Sequence, residues 1–599
     1  MSAADSAEHV HWELADLLGG AGPEQVERLL DEAIERAERF AQSYRGALTT
    51  IDSAGLSDAM GELAEIQDLA GRAGSYAGLR FSVDTADPER GALLQRVQER
   101  GTQLETLLLF FDLEWAALSD ERAAELLAGE GLDFARHHLR TARRYRPHLL
   151  SEPEERIMSE KALGAHAAWT RLFAEQTAAV EVDLDAEALT LDMALSRLMS
   201  PVRDTRRDAA AAITRALEPG LRTRGAIFNA LLVDKMTDDR LRSYPSWLSE
   251  RNLANEASDE SVAALISAVR ARYELPRRWY RLKARLLGID RLADYDRMAP
   301  LGADDVEVPW PAARELVLSG YNAFSPELGA LAERFFEEAW IDAPPAPGKR
   351  GGAFCAYTVP SVHPYVMLNY TSRRRDVLTL AHELGHGVHA ALAARQGIFH
   401  QGTPLTLAET ASVFGESLIF ASLLESSPGP EARLSLLAEN LEDAIATVFR
   451  QVAMNQFEDR VHTRRREAGE LSVEQLSELW AAAQTELLGD AVEVTDNYRS
   501  WWSYIPHFIS TPGYVYAYAY GQLLAMSVYE RYLEEGPGFA ERYVELLAAG
   551  GSRSPEELGA IVGIDLTDPG FWDRGLDLIE RRLREAEEVA AQVGEAPRR

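Results

Sequence analysis

The sequence predicts a mainly α-helical protein: a multi-helix body with one small β-sheet beside the helix that carries residues 381–392. Three observations predict it. Apolar residues recur at three- and four-residue steps through the first two hundred positions. Near residues 350–370 the pattern changes to two short runs rich in aromatic and β-branched residues. It then returns to helical spacing at "AHELGHGVHAAL", residues 381–392, and stays helical towards the C-terminus.

Each element follows from its residues. In "PEQVERLLDEAIERAERFAQSYRG", Val26, Leu30, Ile34, Ala37, Phe40, Ala41 and Tyr44 line one helical face, with Pro23 at the start and Gly46 at the end. "LLQRVQERGTQLETLLLFFDLEWAAL" repeats the pattern across one Gly. From about 185 to 340 helices continue, with breaks expected at "LEPGLRTRG" and "ELPRRWYRLK". "IDAPPAPGKRGG" (341–352) reads as a loop, and "AFCAYTV" and "PYVMLNY" after it read as strands. "TSRRRDVLTLAHELGHGVHAALAARQG" then reads as a helix, with Thr371 or Ser372 as its cap, Asp376 in its first turns and Gly397 past its end. A chain of 599 residues exceeds one ordinary core. It divides into an N-terminal helical lobe (1–195), a catalytic region (196–585) and a tail (586–599) expected to fray.

Bulk properties narrow the function. The net charge is −33, from 62 Lys+Arg and 95 Asp+Glu, which repels nucleic acid and anionic membranes. No run of about 18 apolar residues stands out, so no membrane span is expected. The opening "MSAADSAEHVHWELADLL" is not built like a signal peptide. Cys355 is the one cysteine, which fits a reducing compartment, and it reads as a small buried residue rather than a nucleophile. A cytoplasmic protein is expected.

The chemistry concentrates in HExxH. His382 and His386 are four apart, about one helical turn, so both imidazoles share a face and can bind one Zn²⁺. Glu383 is placed to act as general base on a metal-activated water. Gly385 and Gly387 cost helix propensity, which suggests that something must approach the ligand face closely. A catalytic zinc needs a third protein ligand. His389 lies on nearly the same face but reads as a supporting or core residue. "TLAETASVFGESLIFASLLE" offers Glu409 and Glu416, seven apart on one apolar face. One can be the ligand and the other can orient a histidine, and spacing alone does not rank them.

"DVLTLAHELGHGVHAALA" followed by "LAETASVFGE" resembles the oligoendopeptidase F branch of the thimet-oligopeptidase family of zinc peptidases. "HWELADLL", "GGAFCAYTVPSVHPYVMLNY" and "WWSYIPHFISTPGYVYAYAYG" extend the resemblance over most of the chain. It implies Glu409 as third ligand and Glu416 as its support. It implies that His507 and Tyr514, with Tyr518 next, stabilise an oxyanion; Tyr516 or Tyr520 could hold that role instead, because the His-to-Tyr interval varies. It implies two helical lobes around a deep channel that admits unfolded oligopeptides. A strand at "GGAFCAYT" could pair with a peptide backbone, with Gly352 and Ala353 positioning it; the glycines could equally form a turn.

The expected function is zinc-dependent endopeptidase action on short oligopeptides, with one Zn²⁺ per chain and no nucleic-acid or membrane partner. Two alternatives stand beside it: a metallocarboxypeptidase or dipeptidyl-type exopeptidase, and a peptide-binding protein with structural zinc. Cleavage preference and oligomeric state are not written in the sequence.

Overall fold

A computed structural model describes residues 6–162, 164–301, 306–568 and 570–595. The chain forms two compact units, each built from three stretches. This is a different division from the segments 1–195, 196–585 and 586–599. Helices dominate both, and the sheets are small.

The first unit comprises Met1–Arg146, Asp304–Glu425 and Val528–Leu566. Its N-terminal part packs the helices Gln25–Tyr44, Ser53–Ser82 and Pro88–Ala117 around Phe40, Leu56, Met60, Phe111 and Trp115. The apolar stripe predicted for the first of these is the face it buries. Asp52 and Asp87 cap the other two through the Gly55 and Glu89 amides.

The functional part of this unit starts with strands β1 (Ile341–Asp342), β2 (Phe354–Ala356) and β3 (Tyr365–Met367). β3 is central, parallel to β1 and antiparallel to β2, so β2 is an edge. Two helices follow, α1 (Arg374–Ala393) and α2 (Leu405–Glu425). Neither Thr371 nor Ser372 caps α1 directly. Asp376 reaches back from the first turn and accepts from the Arg373 amide at 3.1 Å and from the Thr371 amide and hydroxyl at 2.7 and 2.9 Å. Although no span is expected from the sequence, α2 is by length and apolar composition alone able to cross a bilayer over Thr406–Glu425. Here it is a core helix, with Phe414 against Tyr543 at 4.2 Å and Phe324 at 4.8 Å.

The second unit comprises Pro147–Ala303, Ser426–Ser527 and Thr567–Arg599. Its core gathers Ile213, Phe228, Phe457, Trp480, Trp502 and Phe508. Three expectations change here. The break at "LEPGLRTRG" is absent: Arg203–Leu241 is one helix with Pro219 inside it. Gly220 leaves room for the Arg224 guanidinium, which folds back to the Leu217 carbonyl, and burial of Ile213, Leu217 and Phe228 on both sides outweighs the lost hydrogen bond. A hairpin, Glu181–Leu184 with Glu187–Thr190, interrupts the helical run, turning through Asp185 and Ala186 at positive φ. The tail does not fray at 586. Phe571–Glu595 is one helix in which Ala586, Val589 and Ala590 bury an apolar stripe. Two further helices are α3 (Arg450–Ala468) and α4 (Tyr516–Glu535), and α4 carries tyrosines of the C-terminal motif.

Candidate metal centre

α1 and α2 meet where their backbones can touch. A Cβ on Gly385 would stand 2.4 Å from the Ala411 carbonyl oxygen of α2. The predicted need for close approach is therefore met by a neighbouring helix. Gly387 differs, since its space is filled by the Phe335 ring rather than by anything at the ligand face. Tyr321 locks the crossing from below, donating to the Ala381 carbonyl at 2.9 Å.

The crossing sets Glu409 opposite the two histidines. Its Oε2 lies 3.4 Å from His382 Nε2 and 3.6 Å from His386 Nε2. Ligands about 2.1 Å from a tetrahedral zinc are separated by about 3.4 Å, so these spacings suit one ion. Among the described residues, His382, His386 and Glu409 are the one group of His, Cys, Asp or Glu brought close enough to share a cation. Glu416 lies on the far side of the first imidazole, 3.3 Å from His382 Nδ1. It orients the ring and leaves Nε2 for the ligand role, as carboxylates beside ligating histidines do. His386 engages the Ala408 carbonyl.

The electrostatics favour a cation at this point. Burial works against charge on His382, but the hydrogen bond to Glu416 and the charge of Glu409 hold its pKa up, to about 9. Burial would raise Glu409, yet His382, His386 and the Ser412 hydroxyl keep its carboxyl below the usual range. The Ser412 hydroxyl donates to Glu409 Oε2 at 2.6 Å. Glu383 is buried, and burial pushes its pKa up to about 7, suited to taking and returning a proton near neutrality. The Cys355 amide of β2 donates to it, which ties the edge strand to the base.

These groups face a cavity of about 420 Å³ walled by Ala353, Phe354, Cys355, Tyr357, Gly402 and Thr403 together with the cluster. Ala353 is in that wall. Gly352 lies one residue outside it, a turn residue at φ 79° with open space beside it, its carbonyl accepting from Asn369 at 2.8 Å. Cys355 lines the cavity rather than filling the core. His389 is core: it is buried, 6.3 Å from the Tyr357 ring, and burial pushes its pKa down to about 3.

Two participants escaped the sequence reading. Ser412 stands three residues after Glu409, one turn along the same helix, a spacing that could have flagged it. Tyr357 carried no signal beyond following a strand.

His507, Tyr514 and Tyr518 belong to the second unit, where they form a cluster of their own. His507 Nε2 is 3.2 Å from Tyr518 Oη, and the Tyr514 and Tyr518 rings are 5.1 Å apart. Tyr516, Tyr518 and Tyr520 lie on a helix, since α4 starts at Tyr516, and Tyr514 precedes it. Tyr516 and Tyr520 share its buried face and are bound to Asn255 at 2.9 Å and Ser261 at 3.1 Å, so both are structural.

The chain matches the family model described as peptidase family M3 over residues 324–578 and the one described as oligopeptidase F over 114–181, together more than half its length. The chain belongs to peptidase family M3. It is therefore a peptidase of the oligoendopeptidase F kind. It is similar to oligopeptidase PepF of Bacillus subtilis, 27% identical over 94% of this chain and 85% of that one. It is similar also to group B oligopeptidase PepB of Streptococcus agalactiae, 26% identical over 94% of both. Its fold matches that of oligoendopeptidase-F from Enterococcus faecium with a TM-score of 0.72, at 23% identity, covering 95% of this chain and 98% of that one.

Proposed function

We propose that this M3 peptidase is a zinc-dependent endopeptidase that hydrolyses internal bonds of short unfolded oligopeptides in the cytoplasm, without membrane or nucleic-acid partners. The observation that carries the reading is the convergence of His382, His386 and Glu409 beside Glu383. Two nitrogens and one carboxylate leave a fourth position open, and a structural site would close it and would have no use for a base. Zinc held there supplies a Lewis acid that activates water and polarises the peptide carbonyl. Glu383 takes the proton from the attacking water and delivers it to the leaving amine. Glu416 keeps His382 in the tautomer that presents Nε2. The edge strand β2 and Ala353 just before it line the cavity, and their remaining backbone groups offer pairing to an extended peptide whatever its side chains. His507 and Tyr514 take the oxyanion role that the family pattern implies, with Tyr518 holding His507 by its hydroxyl. A limit on peptide length comes from the same family pattern.

The test is a graded series of unstructured peptides, from about five residues to a small unfolded protein, sized to bracket what a restricted pocket admits. Fragments are read by mass spectrometry, with Glu383→Gln as control. Internal cuts confined to short peptides, absent in a Glu383→Gln protein that still holds zinc, are the expected result. End trimming would replace the reading with an exopeptidase, and near-normal turnover in Glu383→Gln would remove the base from its role.

A further inference from the structure

Glu458 of α3 is a carboxyl with no part in the chemistry above, and it is almost completely buried, at 1% exposure. Burying such a group is costly unless it does something specific. Its Oε1 accepts a hydrogen bond from the Gly513 amide at 2.9 Å, while Oε2 has no hydrogen-bond partner among the described residues. Gly513 is the residue before Tyr514. It sits at φ 73°, and a Cβ there would stand 2.7 Å from Leu248 Cδ1. The turn therefore favours glycine, since any side chain there would be strained and would have to displace Leu248, and one side-chain acceptor holds its amide. The segment also holds itself: the Thr511 amide and hydroxyl donate to the His507 carbonyl at 3.1 and 3.4 Å, and the Tyr514 amide donates to the Thr511 carbonyl at 3.1 Å. Arg251 closes the other side, its guanidinium 5.8 Å from the Tyr514 ring centroid.

We infer that Glu458 is a positioning residue, which fixes through the Gly513 amide the turn that presents Tyr514 next to His507. The inference rests on the oxyanion role proposed for Tyr514. It explains why a carboxyl is tolerated in this core: the turn needs an acceptor on a rigid helix, and α3 supplies it from outside the loop. Burial pushes the Glu458 pKa up to about 8, against the Gly513 amide and Arg251. The acid is thus largely neutral at pH 7, and glutamine is a close mimic that keeps the acceptor.

The experiment compares Glu458→Met, which fills the volume without an acceptor, with Glu458→Gln, alone and in a Tyr514→Phe background, on a short fluorogenic unstructured peptide. Tyr514→Phe should lower kcat by about 10²-fold, the scale of one lost oxyanion donor. Glu458→Met should lower kcat by about ten-fold or more, as misplacement of a reacting group does, with KM and zinc content unchanged. Glu458→Gln should recover most of kcat, and Glu458→Met should cost little further in Tyr514→Phe, since both act on one group. A slow Tyr514→Phe enzyme beside a fully active Glu458→Met enzyme would overturn the Glu458 assignment alone, as would full additivity of the two losses. A Tyr514→Phe enzyme with unchanged kcat would overturn the oxyanion reading and the Glu458 assignment with it. Exchange of the Gly513 amide itself decides the case even if Glu458→Met does not fold: protection in the wild-type protein supports the bond to Glu458, and exchange as fast as in an open loop overturns it.

Discussion

Glu409 and Glu416 are seven residues apart on one helix and look equivalent in the sequence, yet they do different things. Glu409 faces both Nε2 atoms, whereas Glu416 faces Nδ1 of one ring. Loss of the first removes a ligand; loss of the second frees a ring to turn. Glu409→Ala should therefore abolish stoichiometric zinc, while Glu416→Ala should weaken it by about 10- to 100-fold, the range for groups that orient ligands. Metal content after dialysis against a graded chelator separates the two, and equal retention in wild type and Glu409→Ala would move the third ligand elsewhere. Ser412→Ala belongs with Glu416→Ala. Its hydroxyl holds Glu409 Oε2, and its removal should raise the zinc dissociation constant by about ten-fold without unfolding the helix. HExxH itself was fully legible, because residues four apart share a helical face wherever the helix is placed. The ranking of the carboxylates was not, because it depends on how far α2 is rotated against α1.

The crossing of α1 and α2 is what turns two helices into a site. Gly385 permits it, and the sequence signalled as much by placing a poor helix former between the two ligands. Gly385→Ala gains helix propensity, about 1 kcal/mol in an isolated helix. At this crossing its Cβ would drive into the Ala411 backbone, two residues from Glu409, the acceptor of the Ser412 hydroxyl, and strain of about 1–3 kcal/mol should exceed the gain. The expected outcome is a lower melting temperature together with weaker zinc binding, because the displaced α2 carries Glu409. A variant with higher stability and normal zinc affinity would show that the helices have room to part. α4 teaches the converse lesson. Tyrosines at alternate positions fit a strand by period, but neighbouring alanines and leucines allow a helix, and the bonds from Tyr516 to Asn255 and Tyr520 to Ser261 decide which tyrosines are structural. Those partners lie more than two hundred residues upstream.

For the molecule as a whole, acid stability depends on histidines that no metal would need. His462 is buried in the second unit, stacked on Trp247 at 4.4 Å, with burial and then Arg466 and Lys235 holding its pKa well below the usual value. A histidine depressed in the folded protein binds a proton below about pH 6.5 only when the chain unfolds. Its neutral form therefore adds stability above that pH, and the stability is lost as pH falls. His462→Phe preserves the stack and removes the proton, so the fall in stability from about pH 6.5 to 5 should be shallower by up to about 1.4 kcal/mol per pH unit. Denaturant midpoints across that range measure it, and parallel curves for variant and wild type would show that His462 titrates normally in the fold.

By itself the sequence determined what local geometry dictates: mainly helical architecture, the strand pair at 353–370, and two imidazoles with a carboxylate beside them on one helical face. Those follow from periodicities of 3.6 and 2 residues, which need no knowledge of the rest of the chain. Only the tertiary structure decided which glutamate meets the histidines, that the Cys355 amide and Ser412 hydroxyl hold the two working carboxylates, and which tyrosines are spoken for by the core. It also decided that Pro219 lies inside a helix and that residues 586–595 belong to one. In each case the deciding contact joins side chains or backbones set by packing between elements, and the free energy of that packing is not encoded in the spacing of any one of them.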